Sequence, residues 1–101
     1  MSRFANANEQ HGQLLRELAE ERFAALTRIS STLEKQIERL RTLRSSLTTL
    51  DGDARDQAVQ AYRELRREAV RYRWYMDVQR EVLGLRPHEL VERFYKVPDP
   101  V

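Results

Sequence analysis

Hydrophobic residues recur every three or four positions through the first half of the chain. This stripe consists of Leu26, Ile29, Leu33, Gln36, Leu40, Leu43, Leu47 and Leu50, so that every member except Gln36 is Leu or Ile. An apolar period of about 3.5 residues keeps one side of a helix facing a neighbour, as in coiled coils. The sequence therefore predicts a long first helix over residues 8–50, with Asn6 and Asn8 as candidate N-caps.

A second stripe with the same spacing follows after a short break. Its members are Ala58, Tyr62, Leu65, Ala69, Tyr72, Met76, Gln79 and Leu83. Gly52 favours the left-handed conformation that ends a helix, and Asp53 is a good N-cap for the next one. Because so short a connection makes two helices antiparallel neighbours, we predict a second helix over residues 53–84 that packs on the first.

The two stripes fit a single register. Placing Leu40 opposite Leu65 also places Leu33 opposite Tyr72, and small residues then face large ones in several layers. A third, short amphipathic helix is predicted over residues 87–95, with Leu90, Val91 and Phe94 on its apolar face. Residues 96–101 contain two prolines and are predicted to form an extended, frayed tail. The expected fold is one all-α domain, residues 1–101, built on a long antiparallel helical hairpin.

A further apolar stripe runs along the outer side of the second helix and does not belong to the seam between the helices. Its residues are Val70, Trp74, Tyr75, Val78, Val82 and Leu85. A hairpin alone leaves this stripe exposed, and exposed apolar patches mark interfaces. Either the third helix or another subunit is expected to cover it. The interpretation that we favour is a homodimer, or binding of a protein partner, with the stripe as the interface in a four-helix assembly.

Arginines line one flank of the predicted hairpin. Sixteen of the 18 basic residues are Arg, and those that gather on this flank are Arg44, Arg63, Arg66, Arg73 and Arg80. Such a stripe suits phosphates or an acidic partner. The competing interpretation is a solvated flank, and it is favoured because a net charge of only +2 gives little of the electrostatic footprint of a nucleic-acid binder.

The remaining chemistry is sparse. The chain has no cysteine, no phosphate-binding loop and no nucleophile motif. His88 with Glu92 is half of a metal site at most, since no second ligand pair accompanies it. No cofactor, no metal and no membrane span are therefore expected, and a cytoplasmic location is the default.

The function predicted is a non-enzymatic interaction or adaptor module. A nucleic-acid or anion-binding protein that uses the arginine flank is the alternative, and an enzyme whose site forms between protomers is a weaker third.

Overall fold

The computed structural model describes residues 3–85 and 89–101, and their side chains from residue 6 onward. It confirms the all-α prediction: two long helices pack against each other, and a short third helix follows. The helices are α1 (Arg3–Ser46), α2 (Gly52–Val82) and α3 (Glu89–Phe94). The third helix is predicted to begin at residue 87, but residues 87 and 88 lie outside the described residues. The same holds for the histidine of the candidate His88 and Glu92 pair.

The core of the molecule is the predicted seam between α1 and α2. Leu33, Leu40, Tyr62, Ala69 and Met76 are fully or almost fully buried there. The half-buried residues packed against them include further members of both stripes, namely Leu26, Ile29, Leu43, Leu65 and Tyr72. Burial of these side chains is the main favourable term that holds the hairpin together.

Gln36 is the exception in this apolar seam. Its side chain is buried, and among the described residues its Oε1 atom has no hydrogen-bond partner. The sequence predicts that a seam glutamine reaches water or a backbone carbonyl; in the described part of the chain, no protein donor lies within hydrogen-bond distance of this oxygen. A buried acceptor without a partner costs free energy, so a substitution at Gln36 tests whether its amide weakens the seam.

The first helix ends earlier than predicted, at Ser46 rather than at residue 50. The hydroxyl groups of Ser46, Thr48 and Thr49 donate hydrogen bonds of 2.7–3.0 Å to carbonyls three residues back. Such local bonds offer the backbone an alternative to continued helix. Leu47 nevertheless stays buried, so the seam continues beyond the last helical residue.

The other helix ends also differ from the prediction in position. The first helix already includes Asn6 and Asn8, which therefore lie within α1 and do not cap it. Asp51, and not Asp53, occupies the N-cap position of α2. Gly52 does adopt a positive φ, +59°, but as the first residue of α2.

The second helix ends in a Schellman motif. Gly84 has a φ of +72°, and its N–H donates to the carbonyl of Glu81, while the N–H of Leu85 donates to the carbonyl of Arg80. This pair of bonds satisfies carbonyls that a helix otherwise leaves open at its end, and the left-handed residue is usually glycine because a Cβ atom is disfavoured there. Gly84 therefore ends α2 and turns the chain toward α3.

The third helix and the tail differ most from the prediction. Only Val91 of the predicted apolar face of α3 is buried, while Leu90 and Phe94 are largely exposed. Tyr95 and Val97, which follow α3, pack against the core instead. Residues 96–101 have no regular secondary structure, but they are not frayed, because side chains of both long helices bind their backbone. A six-residue helix buries little apolar surface of its own. The packing of Tyr95 and Val97 against the core therefore determines which side of α3 faces the hairpin.

The hairpin is long and thin, with extents of 76 × 24 × 14 Å. The 44 residues of α1 exceed the 31 of α2. Because a helix rises 1.5 Å per residue, α1 is about 20 Å longer than α2, and its N-terminal part extends beyond the end of α2. We call this part of α1, residues 6–21, the overhang. Its leucines Leu14, Leu15 and Leu18 are exposed.

Candidate interaction surfaces

The tail lies along the arginine flank of the hairpin. Arg66 Nε donates to the carbonyl oxygen of Pro98 at 2.8 Å, and Arg44 Nη1 donates to that of Asp99 at 2.9 Å. Arg63 Nη2 reaches the carbonyl oxygen of Val101 at 3.4 Å. Three of the five arginines predicted to contact an anion thus bind the backbone of the same chain.

The remaining two arginines of that set have different neighbours. Arg73 forms an ion pair with Asp77, one helical turn further along α2. Arg80 is half-buried and is also engaged in an interaction. The five side chains therefore do not form one uniform anion-facing stripe: Arg44, Arg63 and Arg66 surround the tail, and Arg73 is neutralised locally.

Two tyrosines join the C-terminal residues to the helices. Tyr62 is fully buried in the seam, and its hydroxyl donates to the carbonyl oxygen of Asp99 at 2.6 Å. Tyr95 donates to Glu34 Oε1 at 2.8 Å. The heptad pattern identifies Tyr62 only as a seam residue. A further signal was present, because a tyrosine buried in a seam needs a partner for its hydroxyl group, but the sequence does not identify that partner.

The environment of Tyr95 changes its acidity. Burial raises the pKa of the Tyr95 hydroxyl above its usual value of 10.0, and the hydrogen bond to Glu34 and the charge of that carboxylate raise it further. A weaker influence from Ser30 lowers the pKa. Burial and a nearby negative charge both disfavour the phenolate, as they do for acidic groups in general. The Tyr95 hydroxyl therefore remains a hydrogen-bond donor at neutral pH.

The predicted apolar stripe on α2 remains largely exposed. Trp74 is 61% exposed, and Val70, Tyr75 and Val82 are exposed as well. Val78 and Leu85 are half-buried. Neither α3 nor the tail therefore covers Trp74, Tyr75 or Val82 in the described part of the chain.

The residues of the stripe fall into two groups with different surroundings in the structure. Val70 lines a cleft with Arg73, Tyr95 and Val97, which places it on the side of the C-terminal residues. Trp74, by contrast, contacts Tyr75, with ring centroids 5.6 Å apart, and Tyr75 contacts Tyr72 at 5.7 Å. We call the surface formed by Trp74, Tyr75, Val78 and Val82 the Trp74 face. Its rings are tilted relative to one another, at 58° and 73°, so they do not form a flat stacking platform for bases.

An apolar groove lies where α2 ends on α1. Leu15, Leu18 and Phe23 of α1 line it together with Val82 and Leu83. Arg22 and Ala19 complete the lining. The groove brings the overhang next to Val82, which also belongs to the Trp74 face. The two exposed apolar regions are therefore contiguous.

The described residues contain no group of three or more His, Cys, Asp or Glu side chains that is arranged to hold a metal ion. In the same part of the chain, no helix combines the length and the apolar character that crossing a bilayer requires. The candidate surfaces consist of exposed apolar side chains around Trp74 and of the hydrogen-bond donors that contact the tail.

No protein family matches this chain, and neither a curated protein nor a solved structure resembles it significantly. Any functional proposal for this protein consequently depends on the features of its own surface.

Proposed function

We propose that this protein is a non-enzymatic interaction module of the cytoplasm that self-associates into a helical bundle. The interface in this proposal is the Trp74 face together with the overhang. The observation that carries the proposal is the exposure of Trp74 on a flank that α3 and the tail leave open. Large apolar patches on a soluble protein mark sites of interaction, and tryptophan and tyrosine are enriched at the centres of interfaces.

The overhang supports the same proposal. No second helix packs against it in the described part of the chain, because α2 ends near Arg22 and Phe23. An isolated helix of this length is only marginally stable in water, and most helices in proteins are stabilised by packing of one face. Leu14, Leu15 and Leu18 provide such a face. A second copy of the hairpin, packed against this face, supplies the missing neighbour.

Light scattering at several protein concentrations tests self-association. The proposal expects twice the monomer mass of 12.0 kDa, falling toward the monomer mass on dilution. A monomer mass throughout the micromolar range contradicts it.

Substitutions then test the interface. Trp74→Glu places a charge at the centre of the Trp74 face and is expected to convert the dimer to monomer, since burial of an unpaired charge is strongly unfavourable. Gln60→Glu is the matched control, because Gln60 is exposed and lies two heptads earlier on the same outer side of α2. The control should leave the mass unchanged. Equal masses for wild type and Trp74→Glu would place the interface elsewhere.

The overhang is tested by the same measurement. Leu18→Glu is expected to weaken association, because Leu18 belongs to the apolar face of the overhang. Gln13→Glu makes the same charge change at an exposed position on the other side of this helix and is not expected to weaken it. If only Trp74→Glu has an effect, the interface is restricted to the Trp74 face.

A further inference from the structure

The tail occupies a cleft whose hydrogen-bond donors come from both long helices. Arg44 belongs to α1, whereas Tyr62, Arg63 and Arg66 belong to α2. These four side chains donate to three carbonyl oxygens, those of Pro98, Asp99 and Val101. We call the cleft formed by Arg44, Tyr62, Arg63 and Arg66 the carbonyl cleft.

The hydrogen bonds recorded between the cleft and the tail, among the residues that the structure describes, all end on the backbone of the tail. All four hydrogen bonds end on carbonyl oxygens, and Asp99 and Pro100 are exposed. Pro98 and Pro100 restrict the backbone and lack N–H groups, so the tail presents carbonyls in a conformation that is partly fixed before binding. Other domains bind proline-rich segments for the same reason: the backbone of such a segment is already extended, so it loses little conformational entropy on binding.

Two arginines of the cleft bond only to neutral groups of the tail. Among the residues that the structure describes, no side-chain carboxylate lies within ion-pair distance of Arg44 or Arg66. Their bonds end on the backbone carbonyls of Asp99 and Pro98 instead. A guanidinium bonds more strongly to a carboxylate than to a neutral acceptor, often through two parallel bonds. An extended segment with a well-placed acidic residue therefore fits the cleft better than the tail itself does.

We infer that the carbonyl cleft is a recognition site for an extended, proline-containing acidic segment of a partner protein, and that the tail is its competitor in cis. The tail closes the site when no partner is present, and a partner segment must displace it. This inference does not rest on self-association, because the Trp74 face lies on the other flank of the hairpin.

A labelled peptide with the sequence of residues 96–101 serves as the probe, because the same sequence occupies the cleft in the folded chain. Its affinity for the full chain is measured by fluorescence anisotropy. The apparent affinity of a site is its intrinsic affinity multiplied by the fraction of molecules in which the site is free. The full chain with Pro98→Gly and Pro100→Gly has a more flexible tail that leaves the cleft more often. If the tail closes the cleft in nine of ten molecules, this variant binds the probe about tenfold more tightly than wild type.

Further substitutions in this loosened chain locate the binding site. Arg66→Gln is expected to weaken probe binding at least about fivefold, since the loss of one charge-assisted hydrogen bond is commonly worth that much. Arg44→Gln, on the other helix, tests the same cleft independently. Arg67→Gln is the matched control, because Arg67 is adjacent in sequence and exposed, and the structure records no bond from it to the tail. Circular dichroism verifies that each variant keeps its helices.

Three results would overturn the inference. The first is equal probe affinity for wild type and the loosened chain. The second is an equal loss of affinity for Arg66→Gln and Arg67→Gln. The third is displacement of the probe by inorganic phosphate or an oligonucleotide as readily as by unlabelled peptide, which would assign the cleft to anions in general. Support requires instead that a peptide with a second acidic residue displaces the probe better than the tail peptide does. These substitutions are expected to leave the mass in light scattering unchanged, so the test of the cleft and the test of self-association have separate outcomes.

Discussion

The hydroxyl group of Tyr62 donates a hydrogen bond of 2.6 Å to the backbone carbonyl oxygen of Asp99, a residue 37 positions later in the chain. Tyr62 is fully buried in the seam between the long helices, whereas Asp99 is exposed. This single bond therefore connects the centre of the hairpin to the tail. It adds to the bonds by which Arg44, Arg63 and Arg66 hold the tail.

Removal of that bond should be measurable. Tyr62→Phe keeps the ring in the seam but removes the donor, and we expect the free energy of unfolding to fall by about 1 kcal/mol. Tyr72→Phe is the control, because Tyr72 is also packed against the core, while the structure records no hydrogen bond of its hydroxyl group among the described residues. It is expected to change stability by less than about 0.5 kcal/mol. Urea unfolding of the three proteins provides the comparison.

A second prediction concerns the core. Leu33 is completely buried, while Leu90 is 65% exposed. Leu33→Ala should lower the free energy of unfolding by about 2–5 kcal/mol, through lost burial and the cavity that remains. Leu90→Ala makes the same change on α3 and should cost less than about 0.5 kcal/mol. Chemical denaturation measures both, and a large effect of Leu90→Ala would mean that α3 packs by the face that the sequence predicted.

The hairpin was predictable because its causes are local. The spacing of Leu33 and Leu40 on one helix, and of Tyr62 and Ala69 on the other, is visible in the sequence itself. Those residues are buried in the structure. A short connection then leaves only an antiparallel arrangement.

The tail was not predictable in the same way. Its binding depends on backbone carbonyls, such as that of Pro98, which every residue carries and which therefore leave no signature in the sequence. The donor Arg66 is 32 residues away from Pro98. The early end of α1 was missed for a related reason, because a serine such as Ser46 suits both an exposed helical position and a local bond to the backbone.

Gln36 provides a test in which a substitution is expected to stabilise the protein. Its buried Oε1 atom has no partner among the described residues. Gln36→Met keeps a similar shape without the polar group, so the free energy of unfolding should rise by about 1 kcal/mol. Gln79→Met is the matched control, since Gln79 lies in the same seam but is only half-buried, and its effect should be smaller. Destabilisation by Gln36→Met would show that the amide has a favourable partner, for which a buried water is the first candidate to examine.

Alkaline pH should destabilise the protein partly through Tyr95. Burial, together with the hydrogen bond and charge of Glu34, raises the pKa of its hydroxyl group in the folded state. The unfolded chain releases this proton first, near pH 10. The stabilisation linked to Tyr95 is therefore complete below about pH 10 and is lost as the pH rises toward the pKa of the folded protein. Urea unfolding from about pH 8 to about pH 11 should show a steeper loss of stability for wild type than for Tyr95→Phe. Glu34→Gln should give an intermediate slope, since it removes the neighbouring charge but not the burial, and parallel curves for all three proteins would exclude Tyr95 as the titrating group.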